Sequence, residues 1–213
     1  MEVKVMKNIL GENDKIAAEN RKLFAEKNIC VVNLMGSPGS GKTSLLEKTL
    51  SKLAEKINVA VIEGDLFTAK DAERIERQNI SVVQINTAGG CHLDAAMVRR
   101  AAESLNLDEL NLIIVENVGN LVCPAEFDVG ENFKAVVLSI TEGDDKPLKY
   151  PLIFKESAVT LLNKIDLLPY TNFNLAQARE DLTTIHPNIK IIETSCTTGA
   201  GLDDWCDWLL QKF

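Results

Sequence analysis

No stretch of the sequence holds the roughly 20 consecutive apolar residues that a membrane-spanning helix needs. The first thirty residues carry charges of both signs throughout, unlike a signal peptide. A basic excess is also missing: 31 acidic residues stand against 23 basic ones, for a net charge of −8. Bulk binding to nucleic acid or to an anionic membrane surface needs clustered Lys and Arg that displace counterions, so both are excluded as partners. The cysteines, Cys30, Cys91, Cys123, Cys196 and Cys206, are odd in number, widely spaced and form no CxxC. In a chain without an export signal that pattern excludes a disulfide framework. Histidine is scarcer still, with two in 213 residues, yet one of them directly follows a cysteine, as Cys91 and His92. The absences point to a soluble, cytoplasmic protein. Its length suits one domain over residues 1–213, with 1–28 as a helical extension.

Short apolar, β-branched runs recur at 29–35, 58–63, 80–85, 111–116, 134–140, 157–162 and 190–194. Helix-like stretches at 42–56, 68–78, 93–105, 174–186 and 202–210 lie between them, after a first helix near 5–27. Strands that alternate with helices pair in parallel, because a parallel pair needs a crossover connection. Runs that are apolar on both faces belong to a sheet covered on both sides. The expected fold is therefore a three-layer α/β/α P-loop NTPase with a mostly parallel central sheet. Ligands on such sheets bind at the carboxyl ends of the strands.

GSPGSGKT follows the first strand and opens a helix, matching G-x-x-x-x-G-K-[ST] at every fixed position. Gly36, Ser37, Pro38, Gly39, Ser40 and Gly41 form the loop, where glycine lets backbone N–H groups converge on a phosphate. The helix amino terminus, with Thr43 and Ser44, adds partial positive charge. Lys42 is expected to reach the β- and γ-phosphates, and the Thr43 hydroxyl to meet Mg²⁺. LLNKIDLLP then selects the base. The Asp166 carboxylate can accept from both N1–H and the 2-amino group of guanine, whereas adenine leaves it unpaired. The Lys164 stem can cover the base, and Asn163 can tie this loop to the phosphate loop. ETSCTTGAGL, with Ser195 and Cys196, takes the place of the small-residue loop that closes over guanine. Cys196 is also readable as a plain packing residue.

Two loops are expected to sense the γ-phosphate. In IEGDLFTAKDAERI, Asp65 is a Mg²⁺ ligand, direct or through water, or else a helix cap. In IIVENVGN, Glu116 takes the place of the Asp in a D-x-x-G switch, as Mg²⁺ ligand or water-orienting group, and Gly119 offers its N–H to the γ-phosphate. No glutamine placed to orient water follows Gly119, so intrinsic hydrolysis should be slow. INTAGGCHLD and VGNLVCPAEFD each follow a strand, so Cys91, His92 and Cys123 should converge beside the second switch. Thiolate with imidazole suits Zn²⁺ or Ni²⁺ rather than Mg²⁺. A helix start near Asp94 favours the thiolate form of a neighbouring cysteine. A fourth ligand is left to water, another residue, or the same loop of a second copy across a two-fold axis.

Together GSPGSGKT, VIEGDLFTAKDAERI, NTAGGCHLDAAMV, VENVGNLVCPAEFDVGE and LLNKIDLLP resemble the HypB family, hydrogenase nickel-incorporation GTPases of the SIMIBI P-loop class. The likeness runs from the first helix to DWCDWL. It implies GTP hydrolysis during nickel delivery to a [NiFe]-hydrogenase large-subunit precursor, a HypA-type nickel/zinc accessory protein as partner, and a homodimer formed around the nucleotide. It places Zn²⁺ or Ni²⁺ on Cys91, His92 and Cys123. It also implies that a lysine of TEGDDKPLKYP, Lys149 before Lys146, reaches the nucleotide of the facing subunit; the composition of that segment reads as an exposed loop. Some members begin with a Cys-rich motif or His-rich tract. Here the first cysteine is Cys30, so nickel storage at the amino terminus is not expected. The same fold also serves urease- or mutase-maturation GTPases and signalling GTPases with a structural zinc. A P-loop kinase is disfavoured by NKID.

Overall fold

The computed structural model describes residues 4–65 and 80–212. Seven strands form one sheet: β1 (Cys30–Gly36), β2 (Val59–Asp65), β3 (Ser81–Asn86), β4 (Leu112–Glu116), β5 (Phe133–Ser139), β6 (Ser157–Asn163) and β7 (Lys190–Thr194). Their spatial order is β3-β2-β4-β1-β5-β6-β7, and every pairing is parallel. The helices are α1 (Lys4–Glu26), α2 (Lys42–Leu53), α3 (Ala95–Ala102), α4 (Cys123–Glu126), α5 (Lys146–Lys149), α6 (Pro151–Lys155), α7 (Leu175–Ile185) and α8 (Leu202–Leu210). The expected helix at 68–78 lies outside the described residues. No helix among the described residues is long and apolar enough to cross a membrane.

The period-2 alternation of the strands sorts the core into layers. Val32, Leu34, Val61, Ile114, Val137 and Leu161 face Leu45, Leu46 and Leu50 of α2 and Trp205 and Leu209 of α8. Their neighbours Val31, Ile62, Ile113 and Val115 face Phe24 of α1 and Val98 of α3. Met35, Val136, Leu138 and Leu162 face Ile153 and Phe154 of α6 and Leu182 of α7. Trp205 donates its indole N–H to the Thr49 hydroxyl at 3.0 Å, which pairs α8 with α2 at depth. The central strands β1 and β4 are wholly buried, as their unbroken apolar runs require. β3 departs from that expectation: it is an edge strand, half-exposed along most of its length, because a single neighbour covers it.

A second departure concerns residues 141–151, read from composition as an exposed loop. They hold a 3-10 turn (Ile140–Glu142), α5 and the start of α6. Pro147 lies in the first turn of α5, where proline fits a helix without losing a hydrogen bond. The following Ile153 and Phe154 are buried and hold the segment down.

β1 is the strand at which the order reverses, with β4 on one side and β5 on the other. A crevice opens there at the carboxyl ends of the strands, and both loops that carry the candidate chemistry leave the sheet at this edge.

Candidate nucleotide and metal sites

At two positions the turn after β1 has no room for a side chain. A Cβ on Gly36 would stand 2.4 Å from the Val137 carbonyl oxygen, and one on Gly41 2.4 Å from Asn163 Nδ2. Gly41 also has φ 99°, which L side chains rarely adopt. α2 begins directly after it, so the first N–H groups of that helix open into a cavity of about 440 Å³. The phosphate loop, Lys42, Thr43 and Ser44 line one wall, Glu63 and Gly64 of β2 another, and Glu116 to Gly119 a third, with Lys164 at the rim. The buried Lys42 donates its ammonium to the carbonyls of Gly36 and Ser37, each at 3.1 Å. Thr43 donates its hydroxyl to Glu116 Oε1 at 2.7 Å. Ser37 donates to Glu142, which also accepts from the Ser139 N–H at 3.0 Å. The backbone of Asp65 closes β2. Its side chain, and the rest of the first switch, lie outside the described residues.

Gly119 is pressed against the phosphate loop: a Cβ there would stand 2.8 Å from Pro38 N. On the far side, Asn163 at the end of β6 donates to the Ser40 carbonyl at 3.0 Å and accepts from Thr194 at 3.2 Å. Lys164, in the left-handed region at φ 64°, donates to the Gly39 carbonyl at 2.6 Å. Asp166 accepts from the Ser195 hydroxyl at 2.5 Å, and Ser195 accepts in turn from the N–H groups of Thr197 and Thr198. Cys196 is half-buried beside Asn163, and burial raises its thiol pKa. Lys149 and Lys146 both pair with Asp145, and neither lines the cavity.

Cys91, His92 and Cys123 meet where the β3–α3 and β4–α4 loops converge. Their ligand atoms all lie within 4.8 Å of one another. Cys91 Sγ is 3.0 Å from Cys123 Sγ and 3.5 Å from His92 Nδ1. The His92 ring stacks on Phe127 at 3.8 Å between centroids, which fixes its plane. Burial holds the imidazole below its ordinary pKa against the pull of Asp94 and Glu126, which favours the neutral, ligating form. The Cys123 thiol is pushed up, first by its hydrogen bond with Cys91 and then by burial. A metal has to displace that proton when it binds. Asp94 caps α3 by accepting from the Met97 N–H at 2.7 Å.

Residues 30–193 match the CobW/HypB/UreG nucleotide-binding domain. The hydrogenase maturation factor HypB of Escherichia coli K12 is 50% identical over 202 residues, covering 95% of this chain and 70% of that protein. This chain belongs to the HypB family. CobW/HypB/UreG proteins are P-loop GTPases. Among solved structures, HypB from Helicobacter pylori in complex with nickel superposes with TM-score 0.90 at 38% identity, covering 94% of each chain. HypB from Archaeoglobus fulgidus gives 0.89 at 37% identity, covering 94% of this chain and 98% of that one.

Several residues of this HypB-family site escaped the sequence reading. Glu63 lines the cavity two positions before the Asp65 that the strand end had pointed to. Glu142 braces Ser37 from a segment read as solvent-exposed. Phe127 supplies the face for His92; its spacing from Cys123 across a helical turn was the available signal. Asn117 and Asn120 hold the two loops together. Nothing in their spacing marks them, because their partners are backbone atoms of another loop.

Proposed function

We propose that the chain is a GTP-hydrolysing nickel metallochaperone that assists nickel insertion into a [NiFe]-hydrogenase large-subunit precursor. One observation carries the reading: a Cys–His–Cys cluster forms where the β3–α3 loop meets the β4–α4 segment, and that segment also walls the nucleotide cavity. Thiolates with imidazole suit Ni²⁺ or Zn²⁺, here as cargo. The likeness to a nickel-bound HypB structure favours nickel. Thr43 and Glu116 offer a hydroxyl and a carboxylate, a donor pair fit for Mg²⁺, and Asp65 would add a second carboxylate. Bound Mg²⁺ supplies charge neutralisation at the phosphates.

The chain's own groups divide the remaining work. Gly36 to Ser44 hold the phosphates through backbone N–H groups, with Lys42 as the mobile charge. Gly119 donates its N–H at the γ-phosphate. Asp166 reads guanine, with Ser195, Cys196 and Lys164 around the base and Asn163 bracing its loop. Lys42, Asp65 and Glu116 carry hydrolysis, slowly, since no glutamine is placed just after Gly119 to orient water. Lys149 is exposed and free of the chain's own cavity wall, which suits a role toward the nucleotide of a second copy in a homodimer. The partners are a HypA-type accessory protein and the hydrogenase precursor, in the cytoplasm. Hydrolysis acts as a timer, because GTP and GDP bind two arrangements of the second switch with different affinity.

Equilibrium dialysis with ⁶³Ni²⁺ tests the assignment. We expect wild-type protein to retain nickel, and Cys91→Ala and Cys123→Ala to lose it while keeping the far-ultraviolet circular dichroism of the fold. Equal nickel retention in both variants would move the site elsewhere and sink the reading.

A further inference from the structure

The peptide that carries Cys91 and His92 is held on both sides by asparagines of the second switch. On one side, Asn120 donates its side-chain amide to the Cys91 carbonyl at 3.2 Å. On the other, the buried Asn117 accepts the Leu93 N–H at 3.1 Å. Both asparagines are also fixed to the strand that feeds the phosphate loop. The Asn120 N–H donates to the Gly36 carbonyl at 3.0 Å and forms an isolated antiparallel bridge with Gly36. The Asn117 N–H donates to the Leu34 carbonyl at 2.9 Å, and its side chain donates to Asn33 at 3.1 Å. Between the two asparagines stands Gly119, packed on Pro38. The segment from Glu116 to Asn120 therefore walls the nucleotide cavity and reaches the metal-ligand peptide with its two asparagine side chains.

The two contacts differ in depth. Asn117 is nearly inaccessible and also satisfies the Val118 N–H, so it anchors the fold. Asn120 is half-exposed and spans the cleft between the loops. Its Oδ1 accepts the Val122 N–H at 2.9 Å, which shapes the approach to Cys123. A single amide thus faces both ligand loops: it donates to the Cys91 carbonyl, accepts from the Val122 N–H, and also hydrogen-bonds the Cys123 thiol.

We propose that Asn120 is the positioning residue through which the nucleotide state reaches the nickel ligands. This rests on the metallochaperone reading above and deepens it. When a γ-phosphate draws the Gly119 backbone, Asn120 follows through the same peptide. Its amide then changes the separation of Cys91 from Cys123. Coupling of this kind is a free-energy difference shared by both ligands, so nickel must shift the GTP-to-GDP preference by the same factor as nucleotide shifts nickel affinity.

Two substitutions separate positioning from mere loop structure. Asn120→Asp keeps the oxygen that accepts from Val122 and removes the NH₂ that donates to Cys91. Asn120→Ala removes both. The measurement is the Ni²⁺ dissociation constant of the full chain in its GDP form and in the form bound to a non-hydrolysable GTP analogue with Mg²⁺. It is followed by the thiolate-to-nickel charge-transfer absorption. For wild type we expect the ratio of the two constants to be on the order of 5–150. In both variants it should fall toward one, with the absorption band retained. A wild-type ratio in Asn120→Asp overturns the proposal and leaves the metallochaperone reading standing. A ratio of one in the wild type overturns the proposal, and the metallochaperone reading falls with it only where dimerisation is also unmoved by nucleotide. Loss of the charge-transfer band in Asn120→Asp would mark Asn120 as part of the metal-holding structure instead, and also overturns the proposal.

Discussion

The nucleotide cavity and the Cys–His corner share a sheet edge but are built differently. The cavity is lined by strand ends and by the phosphate loop, where a Cβ on Gly36 or Gly41 would stand 2.4 Å from a neighbouring atom. Its floor is the two most deeply buried strands. The corner is shallow. Cys91 is exposed, Cys123 half-exposed, and the two are 32 positions apart on separate loops. Backbone geometry fixes the first site, and a few side-chain contacts fix the second. One is suited to hold a nucleotide in a constant cradle, the other to change shape and let go of an ion.

That contrast can be broken most severely at the glycines. Gly41→Ala places a Cβ against Asn163 and demands a left-handed φ from alanine. We expect a loss of roughly 2–5 kcal/mol in unfolding free energy and no measurable GTP binding, read by urea denaturation and by a fluorescent guanine nucleotide. Next in size is Asp166→Asn. Removing a charged acceptor from the base loop should cost about 1.5–3 kcal/mol, or about 10–150-fold in GTP affinity. Xanthosine triphosphate, which offers an acceptor where guanine donates, should bind the variant better than GTP. Cys91→Ala should do the opposite of Gly41→Ala. Unfolding free energy should shift by about 0.5 kcal/mol or less, because the residue is exposed, while nickel binding is lost. A large loss of stability there would mean a structural metal site and would erase the contrast.

The smallest effect sharpens it through the thiols. Burial pushes Cys30 and Cys206 up to about 11. At pH 8 both are protonated as well as shielded, so iodoacetamide followed by mass spectrometry should modify exposed Cys91 long before either. Ni²⁺ or Zn²⁺ should slow modification of Cys91 and leave Cys30 and Cys206 as they were.

What was legible in the sequence follows the same division. The phosphate loop and NKID are contiguous, and their chemistry is carried by spacing along one chain, so Lys42, Thr43 and Asp166 could be placed before any fold was known. The parallel sheet followed from strand and helix alternation, and its C-terminal edge brought Cys91, His92 and Cys123 into one neighbourhood. The braces were not legible. Asn120 and Asn117 act on backbone atoms of a loop distant in sequence, and Phe127 acts on a ring it meets only after folding. Residues 141–151 were misread because Asp, Lys and Pro were weighed as turn formers. Pro147 instead starts a helix, and the burial of Ile153 and Phe154 outweighs local composition. The strand at 80–85 was legible, but not its half-exposed edge position, because an apolar run does not reveal whether one neighbour or two will cover it.

The proposed mechanism couples these two unlike sites. Its most direct test is a Ni²⁺ titration of the wild-type chain, once with GDP and once with a non-hydrolysable GTP analogue and Mg²⁺, with molecular mass read by light scattering at each point. Nucleotide is expected to change the nickel affinity, the dimer population, or both. Identical affinity and identical mass in the two states would contradict it.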